Sequence, residues 1–201
     1  PTPVEQDARA TRRLVLEDAF DRRELGEPWK VTLSPREGTS LKLDEGVLAI
    51  EANANSAAVA ERPLPGGVTM VEARVFNGSD RGATWGPGIA LVWANGAYRI
   101  NLRADGRFGV YDGREVLAGS VAPNCWYHLR LRIEGDTVLA EASEDGEAWD
   151  LISSTDRGRF QGEPLAVRVG KMSPPADATD YGEPGPMGAC AIEELRAWAA
   201  R

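Results

Sequence analysis

The chain has 201 residues, 42% of them hydrophobic, and its 23 Lys and Arg against 31 Asp and Glu leave a net charge of −8. That length and apolar content suit one buried core and exclude a disordered chain, and no run approaches the ~18 apolar residues of a membrane-spanning helix. The acidic balance argues against a general nucleic-acid binder, and one His and two Cys exclude zinc centres built from His and Cys clusters, which leaves six Trp as the oddest feature of the composition.

The chain opens Pro1-Thr2-Pro3 without an initiator Met, as a mature or trimmed chain would, and no charged-then-apolar signal peptide is present. Residues 5–13 read as a short helix or a loose tail, and a strand is expected at 14–20. From there turn dipeptides punctuate short alternating runs. Glu45-Gly46 separates Leu41–Leu43 from Val47–Ile50, and strands follow at 56–62 and 67–76. Asn95-Gly96 joins Ile89–Trp93 to Tyr98–Leu102. Asp105-Gly106 and Asp112-Gly113 flank Phe108–Tyr111, Gly135-Asp136 joins Leu129–Ile133 to Val138–Ala140, and Asp145-Gly146 precedes Trp149. Further strands are expected at 165–170 and 189–198. Asn-Gly and Asp-Gly suit tight hairpins because both central residues tolerate positive φ. Such turns at roughly 8–12-residue spacing predict an antiparallel sandwich or barrel, here taken as a single domain over 1–201.

The alternation separates two faces. Tyr98, Ile100 and Leu102 point one way and Arg99, Asn101 and Arg103 the other; Tyr127, Leu129, Leu131 and Ile133 oppose Trp126, His128, Arg130 and Arg132. Two loops are long for a compact domain, Asn77–Gly88 with Trp85 and Ser173–Gly188 with four Pro and Tyr181, and loops of this length often carry function. Cys125 and Cys190 either form one disulfide, which would place the chain in an oxidising compartment, or are two buried thiols.

Two segments carry a resemblance. Leu14-Val15-Leu16-Glu17-Asp18-Ala19-Phe20-Asp21, followed by Leu25 and Trp29, resembles the opening of concanavalin A-like lectin/glucanase domains such as family 16 glycoside hydrolases, and Ile192–Trp198 is similar to their closing strand. Cys125–Leu131 looks like a segment of laminin-G-like members. The resemblance implies an all-β, two-sheet antiparallel jelly-roll sandwich whose concave face often holds a sugar. It also implies a structural calcium ion on the convex side, which would put Glu193, in place of the usual Asp, together with Asp18 or Glu17 at the metal.

Family 16 hydrolases carry Glu-x-Asp-x-x-Glu along one strand, and retaining chemistry needs two carboxylates about 5–5.5 Å apart. Here Glu134-Gly135-Asp136 straddles a hairpin turn and no Glu follows at the required offset; Glu144, Asp145 and Glu147 surround another turn. His128 is the only histidine and lies mid-strand. The sequence therefore points away from catalysis and toward an extracytoplasmic, non-catalytic carbohydrate-recognition domain. Its glycan would stack on Trp85 and Tyr181 and hydrogen-bond to Arg99, Asn101, Arg103 and Arg130. The arginines are equally placed to pair across strands with Glu72, Glu115, Glu134 and Glu141. Two other readings remain open. One is a glycoside hydrolase or lyase-like enzyme using loop acids (Asp80, Asp177, Asp180, Glu183), and the other a laminin-G-like protein-interaction module.

Overall fold

A computed structural model describes residues 8–82, 84–173 and 178–201. It contains β1 (Arg12–Asp18), β2 (Lys30–Leu33), β3 (Ser40–Asp44), β4 (Val47–Asn53), β5 (Ala58–Pro63), β6 (Val68–Phe76), β7 (Gly86–Trp93), β8 (Gly96–Leu102), β9 (Phe108–Tyr111) and β10 (Glu115–Ala118). Then follow β11 (Trp126–Glu134), β12 (Thr137–Ser143), β13 (Asp150–Asp156), one turn of 3-10 helix (Arg157–Arg159), β14 (Ala166–Met172) and β15 (Met187–Ala200).

Two antiparallel sheets form the expected sandwich. One has the order β13-β12-β11-β6-β15-β4-β3, with β1 also paired to β15; the other runs β10-β9-β8-β7-β14-β5-β2. Every turn dipeptide named above joins two neighbouring strands. At β3–β4 both central residues, Glu45 and Gly46, take positive φ, the conformation that matches the twist of a tight hairpin. The expected strands at 14–20, 56–62, 67–76, 165–170 and 189–198 correspond to β1, β5, β6, β14 and β15. Residues 9–11 form a turn rather than a helix, and residues 5–7 lie outside the described residues.

The core lies between the sheets. Leu129, Leu131, Val138 and Ala140 from one sheet meet Ile89, Leu91, Ile100 and Val169 from the other in a single cluster. Burying such side chains supplies about 25 cal/mol per Å² of apolar surface, the main force holding the layers together. Cys125 and Cys190 are free thiols, not a disulfide. Burial pushes the Cys190 thiol well up, so it stays protonated.

One polar pair interrupts this core. Lys171 faces inward from β14, where its Nζ sits 2.5 Å from Asp80 Oδ1 and donates to Asn53 O at 2.8 Å. The pair ties the 77–85 loop and β4 to the seven-stranded sheet.

Candidate functional site

The outward face of the seven-stranded sheet concentrates chemistry in one cross-strand row. Strand pairing places Glu115 (β10), Tyr111 (β9), Arg99 (β8), Ala90 (β7), Arg168 (β14), Glu61 (β5) and Lys30 (β2) side by side, one from each strand. The adjoining row is almost free of side chains where the first is bulkiest: Gly109, Asn101, Gly88 and Gly170 lie consecutively across β9, β8, β7 and β14. Glycine is required at Gly88, because a Cβ there would fall inside contact distance of the Ile100 carbonyl oxygen and the Asn101 Cα.

Val59, Ala90 and Met172 make a small apolar cluster on this outer face, separate from the sandwich core. Beside it lies a cleft of about 260 Å³ lined by Lys30, Thr32, Val59, Glu61, Arg168 and Met172, with Ser173 and Thr179 closing its rim. The result is an apolar floor inside a polar border. The carboxylates on the charged row are spoken for: Arg168 Nη2 holds Glu61 at 2.7 Å, and Arg103 Nη1 holds Glu115 at 2.7 Å. They also sit at opposite ends, five strand spacings or about 24 Å apart at ~4.8 Å each.

A larger depression, about 500 Å³, opens at one end of the sandwich between residues 77–81, 102–106 and 121–124. Its main charges are already paired, Arg103 with Asp105 at 2.8 Å and Asp80 with the buried Lys171.

The six residues expected to share one binding face do not. Arg99, Asn101 and Arg103 belong to the seven-stranded sheet, but Arg130 projects from β11 on the other sheet. There its Nε bonds Glu141 at 2.7 Å and its guanidinium lies 4.0 Å from the centre of the Trp149 ring. Arg132 joins the same carboxylate at 2.8 Å. Cross-strand pairing with glutamates is thus what Arg103, Arg130 and Arg132 do. Trp85 is 1% exposed, so it offers no open ring for a sugar, whereas Tyr181 is 75% exposed. The other five tryptophans pack against neighbours: Trp29 against Phe20, Trp93 against Phe160, Trp126 against Phe76, Trp149 against Arg130, and Trp198 beneath Arg9.

Glu193 and Asp18, expected at a calcium ion, both face arginine. Glu193 Oε2 lies 2.5 Å from Arg74 Nη1. Asp18 accepts from Arg22 at 2.6 Å, from Trp29 Nε1 at 2.9 Å and from the Phe20 N–H at 3.0 Å. Among the described residues, no three or more His, Cys, Asp or Glu gather as a metal site. Of the loop acids, Asp180 accepts from Ser34, Ser56 and Thr179 and faces Arg36 at 3.1 Å. Glu183 is exposed, and Asp177 lies outside the described residues. His128 has its pKa lowered by burial, with Arg74 and Arg9 adding to the effect.

The charged row and its glycine lane were not foreseen. Strand alternation shows that Arg99, Arg168 and Glu61 face outward; only the pairing register shows that they stand in line.

No protein-family model and no curated protein matches the sequence. Solved structures do share the fold. A laminarinase (endo-1,3-β-glucanase) catalytic domain from Thermotoga petrophila matches with a TM-score of 0.63 at 11% identity, covering 94% of this chain and 98% of that one. A structure described with endo-acting O-glycanases of the human gut microbiota that initiate mucin breakdown matches at 0.66 and 11%, covering 94% and 100%. The GH43 protein BlXynB from Bacillus licheniformis matches at 0.65 and 18%, covering 91% of this chain and 39% of its own; the chain thus spans about two fifths of that protein. The architecture is the jelly-roll sandwich of glucanases and related glycoside hydrolases, of concanavalin A-like type.

Proposed function

We propose that the protein is a non-catalytic carbohydrate-recognition domain that binds a glycan along the outer face of its seven-stranded sheet. The observation that carries this reading is the cleft lined by Val59 and Met172, beside their apolar cluster with Ala90. An apolar floor takes the C–H face of a pyranose, and a border of Lys30, Thr32, Glu61 and Arg168 takes its hydroxyls. The two carboxylates of the charged row, Glu61 and Glu115, do not make a catalytic pair. Glycosidase carboxylates stand about 5–10 Å apart, and one of them needs a raised pKa. Glu61 and Glu115 are far beyond that separation, each held by an arginine.

The fold's company of glucanases and O-glycanases supports a glycan as ligand and, with it, an extracytoplasmic setting. It also supports a hydrolase as the second reading. Affinity is expected to be modest, since a cleft this shallow buries little ligand area.

A glycan array with wild type and Val59→Phe tests the proposal. Val59→Phe fills the cleft and should weaken retention about tenfold with little change in melting temperature. No retention of any glycan by the wild type overturns the reading, and full retention by Val59→Phe removes the site from this cleft. Release of reducing ends from a bound polysaccharide favours the hydrolase.

A further inference from the structure

Near the middle of the charged row stands a cation with no counter-charge of its own. Arg99 is 4% exposed although it faces outward from β8. Its Nη1 donates to the Ser173 carbonyl oxygen, and its guanidinium lies 5.1 Å from the centre of the Tyr111 ring. Its Nε and Nη2 donate to nothing among the described residues. Glu115, at the end of the same row, is held by Arg103, and Glu61 by Arg168. Arg103 and Arg130, buried as deeply, each have a carboxylate within 2.8 Å; Arg99 has a carbonyl and a ring.

The two idle donors are a matched pair. Nε–H and the adjacent Nη2–H run parallel along one edge of the guanidinium, the edge that grips both oxygens of a carboxylate or two oxygens of a sulfate. Burial brings the Arg99 pKa down to about 10, as expected of a desolvated cation with too little negative charge around it.

Space is available beside it. Arg99, Ala97, Ala90 and Tyr111 line a recess of about 10 Å³, the room one oxygen-sized group takes. Arg168, Met172 and Ser173 line both this recess and the larger cleft, so the two adjoin along the row.

We propose that Arg99 is an anion subsite at the inner end of the glycan cleft, taking a carboxylate or sulfate group of an acidic saccharide. The proposal rests on the cleft being a glycan site and specifies the class of glycan. An oxygen of the anion enters the recess, its charge answers the guanidinium, and the sugar ring lies outward over Met172 and Val59.

Titration calorimetry with matched ligands tests it: an oligogalacturonate against its carboxyl-reduced form, and a chondroitin sulfate oligosaccharide against its desulfated form. Inorganic sulfate in a thermal shift assay reads the anion without a sugar. For wild type, one acidic form should bind at least tenfold tighter than its neutral counterpart, and which pair shows the difference separates uronate from sulfate. The preference should fall to within twofold in Arg99→Met and persist in part in Arg99→Lys, which keeps the charge but not the fork. Sulfate should raise the melting temperature of wild type and not of Arg99→Met. Equal binding within both pairs, with no Arg99-dependent response to sulfate, overturns the subsite and leaves a neutral-glycan cleft standing. No saccharide binding alongside an Arg99-dependent sulfate response overturns the glycan reading and keeps the anion site. The wild-type comparisons need no substitution, so they decide the matter even if Arg99→Met folds poorly.

Discussion

Asp18 shows how one side chain can hold several segments. Burial by itself would raise its pKa, but hydrogen bonds from Arg22, the Phe20 N–H and Trp29 outweigh that and lower it. A carboxylate depressed in the folded state stabilises the fold above its unfolded pKa, about 3.9, and the contribution is lost as pH falls through the lower folded value. Asp18→Asn should therefore cost about 1–3 kcal/mol at pH 7, and the gap to wild type should close below pH 4, as urea titrations across pH will read. Glu141 makes a second case. It answers both Arg130 and Arg132 inside the β11–β12 face, so Glu141→Gln removes the buried carboxylate that the two guanidinium groups share. A loss of about 3–5 kcal/mol is expected, measured by chemical denaturation, with much of it restored in Arg130→Met/Glu141→Leu. At this scale the sequence was half legible. Arg99 and Arg130 are indistinguishable as arginines on the polar side of alternating strands. What separates them is the residue across the next strand, Glu141 for Arg130 and Ala90 for Arg99, and pairing register is a long-range property. Trp85 was misjudged as a solvent-facing ring for a related reason: whether a glycine-rich loop folds inward depends on what it meets, not on its own composition.

At the scale of elements, local chemistry governs most. Each Asn-Gly, Asp-Gly or Glu-Gly turn sits between antiparallel neighbours, and at Glu45-Gly46 both residues take the positive φ that closes a tight hairpin with the right twist. Glu45 is the poor fit, at φ 47° with a side chain that does not favour that region. Glu45→Asn keeps the turn and relieves the strain, and should stabilise the protein by up to about 1 kcal/mol, read as a rise in melting temperature. The same preference made the hairpins readable from sequence. It does not reach β5, β14 or β15, whose partners are remote along the chain; their existence followed from apolar content, while their neighbours did not.

For the whole molecule, the net charge of −8 conceals a local arrangement of the opposite kind. Among the described residues, the buried Arg103, Arg130 and Arg132 are neutralised where they stand, while Arg99 lies on the face with the cleft. Composition says nothing of that face, because charge is located by the fold and not by the sum. The order of the strands has a consequence for how the protein is made. β15 is the seam of its sheet, hydrogen-bonded to β6, β4 and β1, yet it is translated after all three. Until β15 is present, one edge of β4 and one edge of β6 lack the strand they pair with in the finished sheet. The sandwich cannot close by steady growth from its N-terminus. The two parts of that sheet are joined only by residues 187–200, a long-range pairing of the kind that slows folding.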